Sequence, residues 1–168
     1  MSNDIQTSYK KLNQRVIKAC SSSNRSIEDI TVLAASKQRT SDDIRSAYNL
    51  NVRHFGENYL QEALTKIEEL FDLNITWHFI GHIQSNKITK IARHFSWLHT
   101  LDSKSTATKL NKARPKHLGP INCCIQINSS KSEKKHGIIN FDDVVSLIEH
   151  CHTLPYITIR GLMTIPSP

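Results

Sequence analysis

The sequence predicts an α/β protein built from parallel βαβ units, and three observations predict it. Short apolar runs alternate with amphipathic stretches from Ile30 onward. Polar residues collect where each apolar run stops. The chain has 168 residues, the length of one ordinary domain, so residues 1–168 are read as a single unit with one core. A hydrophobic content of 38% with only five Gly and five Pro fits a globular chain rather than a disordered or fibrous one.

At the start, Ile5, Tyr9, Leu12, Val16 and Ala19 share a stripe at helical spacing that ends near Ser21 to Asn24, which predicts an amphipathic helix. The following runs predict strand 30–36, helix 41–49, strand 52–56, helix 59–71, strand 75–80 and helix 85–95. Strand 97–101, helix 103–113, strand 120–127, helix 141–152 and strand 156–163 complete the series. The 59–71 segment shows the pattern best, with Leu60, Ala63, Leu64, Ile67 and Phe71 on one face and Lys66, Glu68 and Glu69 off it. Strands alternating with helices imply right-handed crossovers. Either an open doubly wound sheet or most of a (β/α)8 barrel satisfies this pattern, and pattern alone does not choose. In both, ligands bind at the C-terminal ends of the strands. There the sequence places Lys37, Glu57-Asn58, Gly81-His82, Asp102-Ser103 and Gln126 to Asn128.

Several function classes are excluded. The N-terminus lacks a basic region followed by an apolar one, and no apolar stretch is long enough to span a bilayer. A cytoplasmic protein without a membrane partner is expected. Cys20, Cys123, Cys124 and Cys151 show neither disulfide nor zinc spacing. They read as buried reduced thiols, with Cys123 and Cys124 on opposite strand faces. No Gly-x-Gly-x-x-Gly, Walker loop or Gly-x-Ser-x-Gly occurs. His150-Cys151-His152 beside Glu149 is the nearest approach to a metal cluster, but neighbours on a helix diverge by about 100°, so no metal site is expected. His54, His94, His99 and His117 read as surface or capping residues.

The net charge of +7 raises an anionic partner, nucleic acid or a phosphorylated small molecule. Groups such as Lys112, Arg114, Lys116 and Lys131, Lys134, Lys135 read as spread, solvated loop charges without interleaved aromatics, so no nucleic-acid face is expected. A nucleic-acid module, with salt-dependent oligonucleotide binding, ranks last among the readings.

Lys37 carries the chemistry. It follows the small residues Ala34, Ala35 and Ser36, which leave room for a bulky group beside a buried ε-amine. Burial favours a neutral amine, and a neutral amine forms a Schiff base with an aldehyde. A solvated lysine at a strand end is the plain alternative.

The motifs Ala34-Ala-Ser-Lys37, Phe55-Gly-Glu-Asn-Tyr59 with Gln61-Glu62, and Trp77-His-Phe-Ile-Gly81 followed by Gln84-Ser-Asn-Lys87 resemble the pyridoxal phosphate homeostasis proteins, the proline synthetase co-transcribed group. His99-Thr-Leu-Asp102, Ile125-Gln-Ile-Asn128, Lys135-His-Gly137 and Gly161-Leu-Met163 agree in order and spacing. The match covers nearly the whole chain from Ile30. The resemblance implies a barrel of (β/α)8 TIM type, pyridoxal phosphate fold type III, like the N-terminal domain of alanine racemase. It implies pyridoxal 5'-phosphate held on Lys37 as a Schiff base, with Asn58, His78, Ile80 and Met163 as pocket walls. Glu57, Gln84, Asn86 and Lys87 would hold loops in place. Such proteins hold the cofactor and hand it on to apo-enzymes that accept it, keep it low in free form, and act as monomers. No catalytic residue is implied. The alternative, a racemase- or decarboxylase-like enzyme, shares every residue except a catalytic acid/base partner.

The chain stops at Ile165-Pro-Ser-Pro168, whereas the resembling proteins continue through two more βα units with a Gly-Met-Ser and an Arg-Ile-Gly stretch that cradle the phosphate. The expectation is a C-terminally truncated chain with an incomplete barrel of about six βα units. Weak cofactor retention and self-association through open edges would follow.

Overall fold

The structure, a computed structural model, describes residues 2–132 and 135–166. Helix α1 (Ser2–Ser22) precedes six strands that alternate with helices: β1 (Ala34–Ala35), α2 (Ser41–Tyr48), β2 (His54–Glu57), α3 (Leu60–Glu69), β3 (Thr76–Phe79) and α4 (Ile88–His94). Then come β4 (Trp97–Leu101), α5 (Lys104–Ala113), β5 (Ile121–Ile127), α6 (Phe141–His152) and β6 (Ile157–Thr164). Local chemistry fixes several starts. Thr40 and Asp43 form a capping box on α2, and Ser103 and Asn140 cap α5 and α6, satisfying N–H groups that a helix start leaves open.

All neighbouring strands are parallel and their order is β1-β2-β3-β4-β5-β6. This order decides between the two architectures. A doubly wound sheet reverses its strand order at a switch point, whereas steps in one direction with one crossover hand put every helix on the same side. The buried cluster agrees: Phe55, Phe79, Leu98 and Ile125 from strands share it with Ile44, Leu60, Ile91, Leu110 and Leu147 from helices. A sheet covered on one face has to curl that face outward, which is the geometry of a barrel wall. No described helix is long and apolar enough to cross a membrane.

Several expectations are corrected. The strand expected over 30–36 pairs only at Ala34 and Ala35. Ala34 lies opposite Phe55, so Ile30 to Val32 run past the start of β2, alongside a turn in which Asn51 has φ +69°, and have no ladder to join. The helix expected over 85–95 is a 3-10 turn at Ser85–Lys87 followed by α4. Phe71, assigned to the core face of the third helix, is 87% exposed because α3 ends at Glu69 and Leu70 turns inward instead. Lys66, assigned to the solvent face, is buried. In α1, Tyr9 packs on the core but Leu12 is 41% exposed.

The charge is not spread over loops either. Residues 73–141 hold eleven Lys and Arg against two acidic residues, and the remainder holds eleven against thirteen. Lys112 belongs to α5, and Lys134 lies outside the described residues. Arg114 is buried and donates to the carbonyls of Ala92, Phe95, Leu118 and Gly119 at 2.7–3.3 Å. It ties the end of α4 to the turn after α5. Cys20, Cys123 and Cys151 are buried free thiols and Cys124 is half-buried. His150 bonds Thr108 while Cys151 points into the core, so the His-Cys-His segment diverges.

Arg114→Met leaves four carbonyls without their donor. It is expected to lower unfolding stability by roughly 3 kcal/mol in urea titration, and a change under about 0.5 kcal/mol would mean that water replaces the guanidinium freely.

Candidate functional site

Lys37 stands one residue beyond Ser36 at the end of β1. Its peptide surroundings are fixed from the helix side. Ser36 N–H donates to the Gly56 carbonyl at 2.9 Å, and Ser36 Oγ donates to Glu57 Oε1 at 2.7 Å. Lys66, from α3, donates to the Ser36 carbonyl at 2.8 Å, to Glu57 Oε1 at 2.8 Å and to Glu62 at 2.5 Å. Glu62 also accepts the N–H of Gln38 at 2.7 Å. The hydrogen bonds from Lys66 hold the Glu62 carboxyl below its usual range against partial burial. Gln38 itself takes φ +60°, a left-handed turn that carries the chain away from the strand. Both residues flanking Lys37 are thus anchored to one buried ammonium and its two carboxylates.

The side chain of Lys37 is exposed, and no described residue forms an ion pair with it. The expected buried ε-amine is corrected: Ala34 packs on the core and Ser36 is buried against Glu57 and Lys66, whereas Ala35 and Lys37, on the other side of the strand, are exposed.

Beside Lys37, Ala35 pairs with Gly56, which brings Asn58 level with the lysine. Asn58 Oδ1 is buried and has no hydrogen-bond partner among the described residues. The same residue touches Gly81: a Cβ on Gly81 would lie 2.1 Å from the Asn58 carbonyl oxygen. Only glycine permits that approach, so the ends of β2 and β3 meet there. Ile80 N–H donates to the Glu57 carbonyl at 2.9 Å, and Ile80 Cδ1 lies 3.0 Å from where a Gly56 Cβ would be. Lys37, Asn58 and Ile80 therefore share one corner of the strand ends. His78 sits one pleat lower in β3. Met163 pairs with Gln126 on β6, at the far edge of the sheet from Lys37.

Below Ile80 lies a feature missed in sequence. His54 Nδ1 is 2.9 Å from His78 Nε2, and His78 Nδ1 is 2.9 Å from His99 Nε2. Trp97 stacks on His78 at 5.3 Å. His54 and His99 are thus neither surface nor capping residues. Each ring contact needs one proton, and a neutral His78 has one N–H and one lone pair, so the N–H groups all point the same way along the row. Burial, with the adjacent His99 and His54, lowers His78 to about 3, and burial also lowers His54 and His99. Spacings of 24 and 21 residues give no local signal. A histidine within each of three successive predicted strands was the available clue.

Residues 14–167 match the family of the alanine racemase N-terminal domain. The chain is 41% identical over 167 residues to a pyridoxal phosphate homeostasis protein of Haemophilus influenzae, covering 98% of this chain and 70% of that one. It is 41% identical over 171 residues to that of Escherichia coli strain K12, covering 99% and 72%. Among solved structures, PipY of Synechococcus elongatus without pyridoxal phosphate aligns at 34% identity and a TM-score of 0.78, over 90% of this chain and 70% of that one. The form of PipY with pyridoxal phosphate bound aligns at 37% identity and 0.72, over 81% and 63%. Alanine racemase of Clostridium difficile shares the fold at 17% identity and a TM-score of 0.69, over 94% and 40%.

Two outcomes are expected. Lys66→Met strands Glu57 and should cost about 3–5 kcal/mol in urea unfolding, with Glu57→Leu added to it restoring part of the loss; additive losses would show that the pair is not coupled. Acidification should weaken the fold through the histidine row. Because folding depresses these groups, the unfolded chain binds the extra protons, so stability is complete above about 6.5 and drains away as pH falls toward about 3. The slope is at most about 1.4 kcal/mol per pH unit for each histidine. Thermal melts at pH 7 and pH 5 should separate more for the natural chain than for His78→Gln, and equal separations would remove the row as the cause.

Proposed function

Because the chain belongs to the pyridoxal phosphate homeostasis proteins, a group built on the alanine racemase N-terminal domain, we propose that it holds and releases pyridoxal 5'-phosphate through Lys37 without turning over an amino acid. The observation that carries this reading is the anchored backbone around an exposed, unpaired lysine: the peptide groups of Ser36 and Gln38 are fixed while the ammonium faces open space. When bound, the cofactor supplies an aldehyde that bonds covalently to the lysine amine, reversibly with water or another amine.

The residues present fit such a group. Asn58 Oδ1 is an acceptor in want of a donor, and an unsatisfied buried acceptor costs about 1–3 kcal/mol until something donates to it. Ile80 offers an apolar wall beside it. Gly81 holds the two strand ends together, so the corner keeps its width. Met163, half-buried on β6 at the opposite edge of the sheet, is carried over from the family motif alone as a second apolar wall. His78 lies under Ile80, with both ring nitrogens engaged by other histidines. Its burial keeps it neutral, so it adds no charge under the ring and offers no free proton acceptor.

We read the chain as a carrier rather than an enzyme. Turnover of an amino acid needs an acid or base poised at its α-carbon; the imidazoles of His54, His78 and His99 are committed to each other, and that of His82 stacks on His136. The partners this implies are apo-enzymes that take the same cofactor, in the cytoplasm.

Titration with pyridoxal 5'-phosphate should produce the visible absorbance of a lysine-bound cofactor, and borohydride should fix the label at Lys37. Lys37→Ala should lose at least about 100-fold in affinity, as expected for removal of a covalent anchor worth roughly 3 kcal/mol; an unchanged titration would overturn the assignment. Incubation of the loaded protein with amino acids in deuterium oxide should leave the α-proton in place. Measurable exchange would favour the racemase-like reading.

A further inference from the structure

The positive charge gathers on two neighbouring helices. α4 and α5 pack side by side with Thr89 and Arg93 facing Lys109 and Lys112 across a shared groove. Lys90, Arg93, Lys109 and Lys112 are all exposed, and all three ion pairs among the described residues lie elsewhere, on α2 and α3 and the segments they contact. Every exposed residue of α4 and α5 is Thr, Ser, Lys, Arg or His. His94, on the same face, is lowered by burial and by the field of Arg93 and Lys90. Acidic side chains flank the band instead of entering it, with Glu68 and Glu69 on α3 and Asp142, Asp143 and Glu149 on α6.

We propose that the α4–α5 face binds the phosphate backbone of duplex nucleic acid without reading its sequence. The chemistry selects this partner over an acidic protein. Protein interfaces are anchored by buried aromatic and aliphatic side chains with charge depleted at their centre, and this face has cations and hydroxyls at its centre and no apolar anchor. It also lacks aromatic residues on which unpaired bases would stack. Lysine, arginine, serine and threonine are the side chains that contact phosphate and sugar oxygens. Two helices lie about 10 Å apart, and a duplex presents one charge per roughly 1.7 Å of axis, so a single duplex laid along the groove meets both rows of cations. The flanking carboxylates repel it from α3 and α6 and so set its track. This surface is independent of the cofactor reading, since none of its residues lies at the strand ends around Lys37.

The test is fluorescence anisotropy of a short labelled mixed-sequence duplex at several salt concentrations. With four phosphates neutralised, log K should fall with log salt at a slope of roughly −3.6. Replacing Lys90, Arg93, Lys109 and Lys112 by Glu should cut affinity more than about tenfold and flatten the slope by about one per residue. The same charge change on α1, at Lys10, Lys11, Arg15 and Lys18, should leave most of the binding. Circular dichroism checks both folds, and alanine versions replace any glutamate variant that fails to fold. Equal losses from the two variants would show an effect of net charge alone and overturn the proposal. So would an absence of duplex binding at low salt, or competition by polyglutamate as strong as by unlabelled duplex, which would assign the face to an acidic protein.

Discussion

One buried ammonium organises the corner on which the candidate site depends. Lys66 reaches from α3 through the space between helix and sheet and meets the end of β1 at Ser36, the end of β2 at Glu57, and its own helix at Glu62. Two strand ends and one helix share one cation. A buried ion pair is a poor source of net stability, because desolvation consumes most of the attraction. What it provides is position: a charged donor with several acceptors tolerates few arrangements, and its two strand-end partners, Ser36 and Glu57, are each next to a residue that faces the open side of the sheet. Lys37 follows Ser36, and Asn58 follows Glu57. The geometry on one face is thus held by electrostatics on the other.

The strand order gives that clamp something to act on. In a sheet whose helices all lie on one side, alternate residues along each strand face the core and the uncovered surface in turn. The strand ends need not be buried to be ordered. Their backbones are bonded to the neighbouring strand and their helix-facing neighbours are packed, so a side chain such as Lys37 is both exposed and well placed.

Much of this is legible in the sequence, for identifiable reasons. β4 and α6 begin and end where expected because their apolar periods are strong and each is bounded by clear turn or capping residues. Motifs single out Lys37, Asn58 and Ile80, but that they lie at adjoining strand ends is a matter of strand register. Failures occurred where a long-range partner overrides a local pattern. Lys66 looks solvated because helical period alone cannot see Glu57 on another element, and Phe71 looks buried because the period is carried two residues past the end of α3. Ile30 to Val32 looked like a strand because β-propensity does not reveal whether a neighbour reaches that far. The histidine row needs the register of three strands, which no window of sequence contains. The grouping of charge could have been found by counting, since Asp102 is the lone acidic residue between Asp72 and Glu133.

The histidine row has two complete proton arrangements, one with every N–H directed from His54 toward His99 and one with every N–H directed back. Both satisfy the two ring contacts, so the row is a bistable chain of the kind found in ice, in which no single ring can exchange its tautomer alone without leaving two lone pairs or two protons face to face. Reversal is collective. A charge arriving beside His54 therefore selects the orientation of His99 two strands away, with hydrogen the only atom that moves. The sheet beneath the strand ends is, in this respect, polarisable along its width while remaining rigid in its heavy atoms.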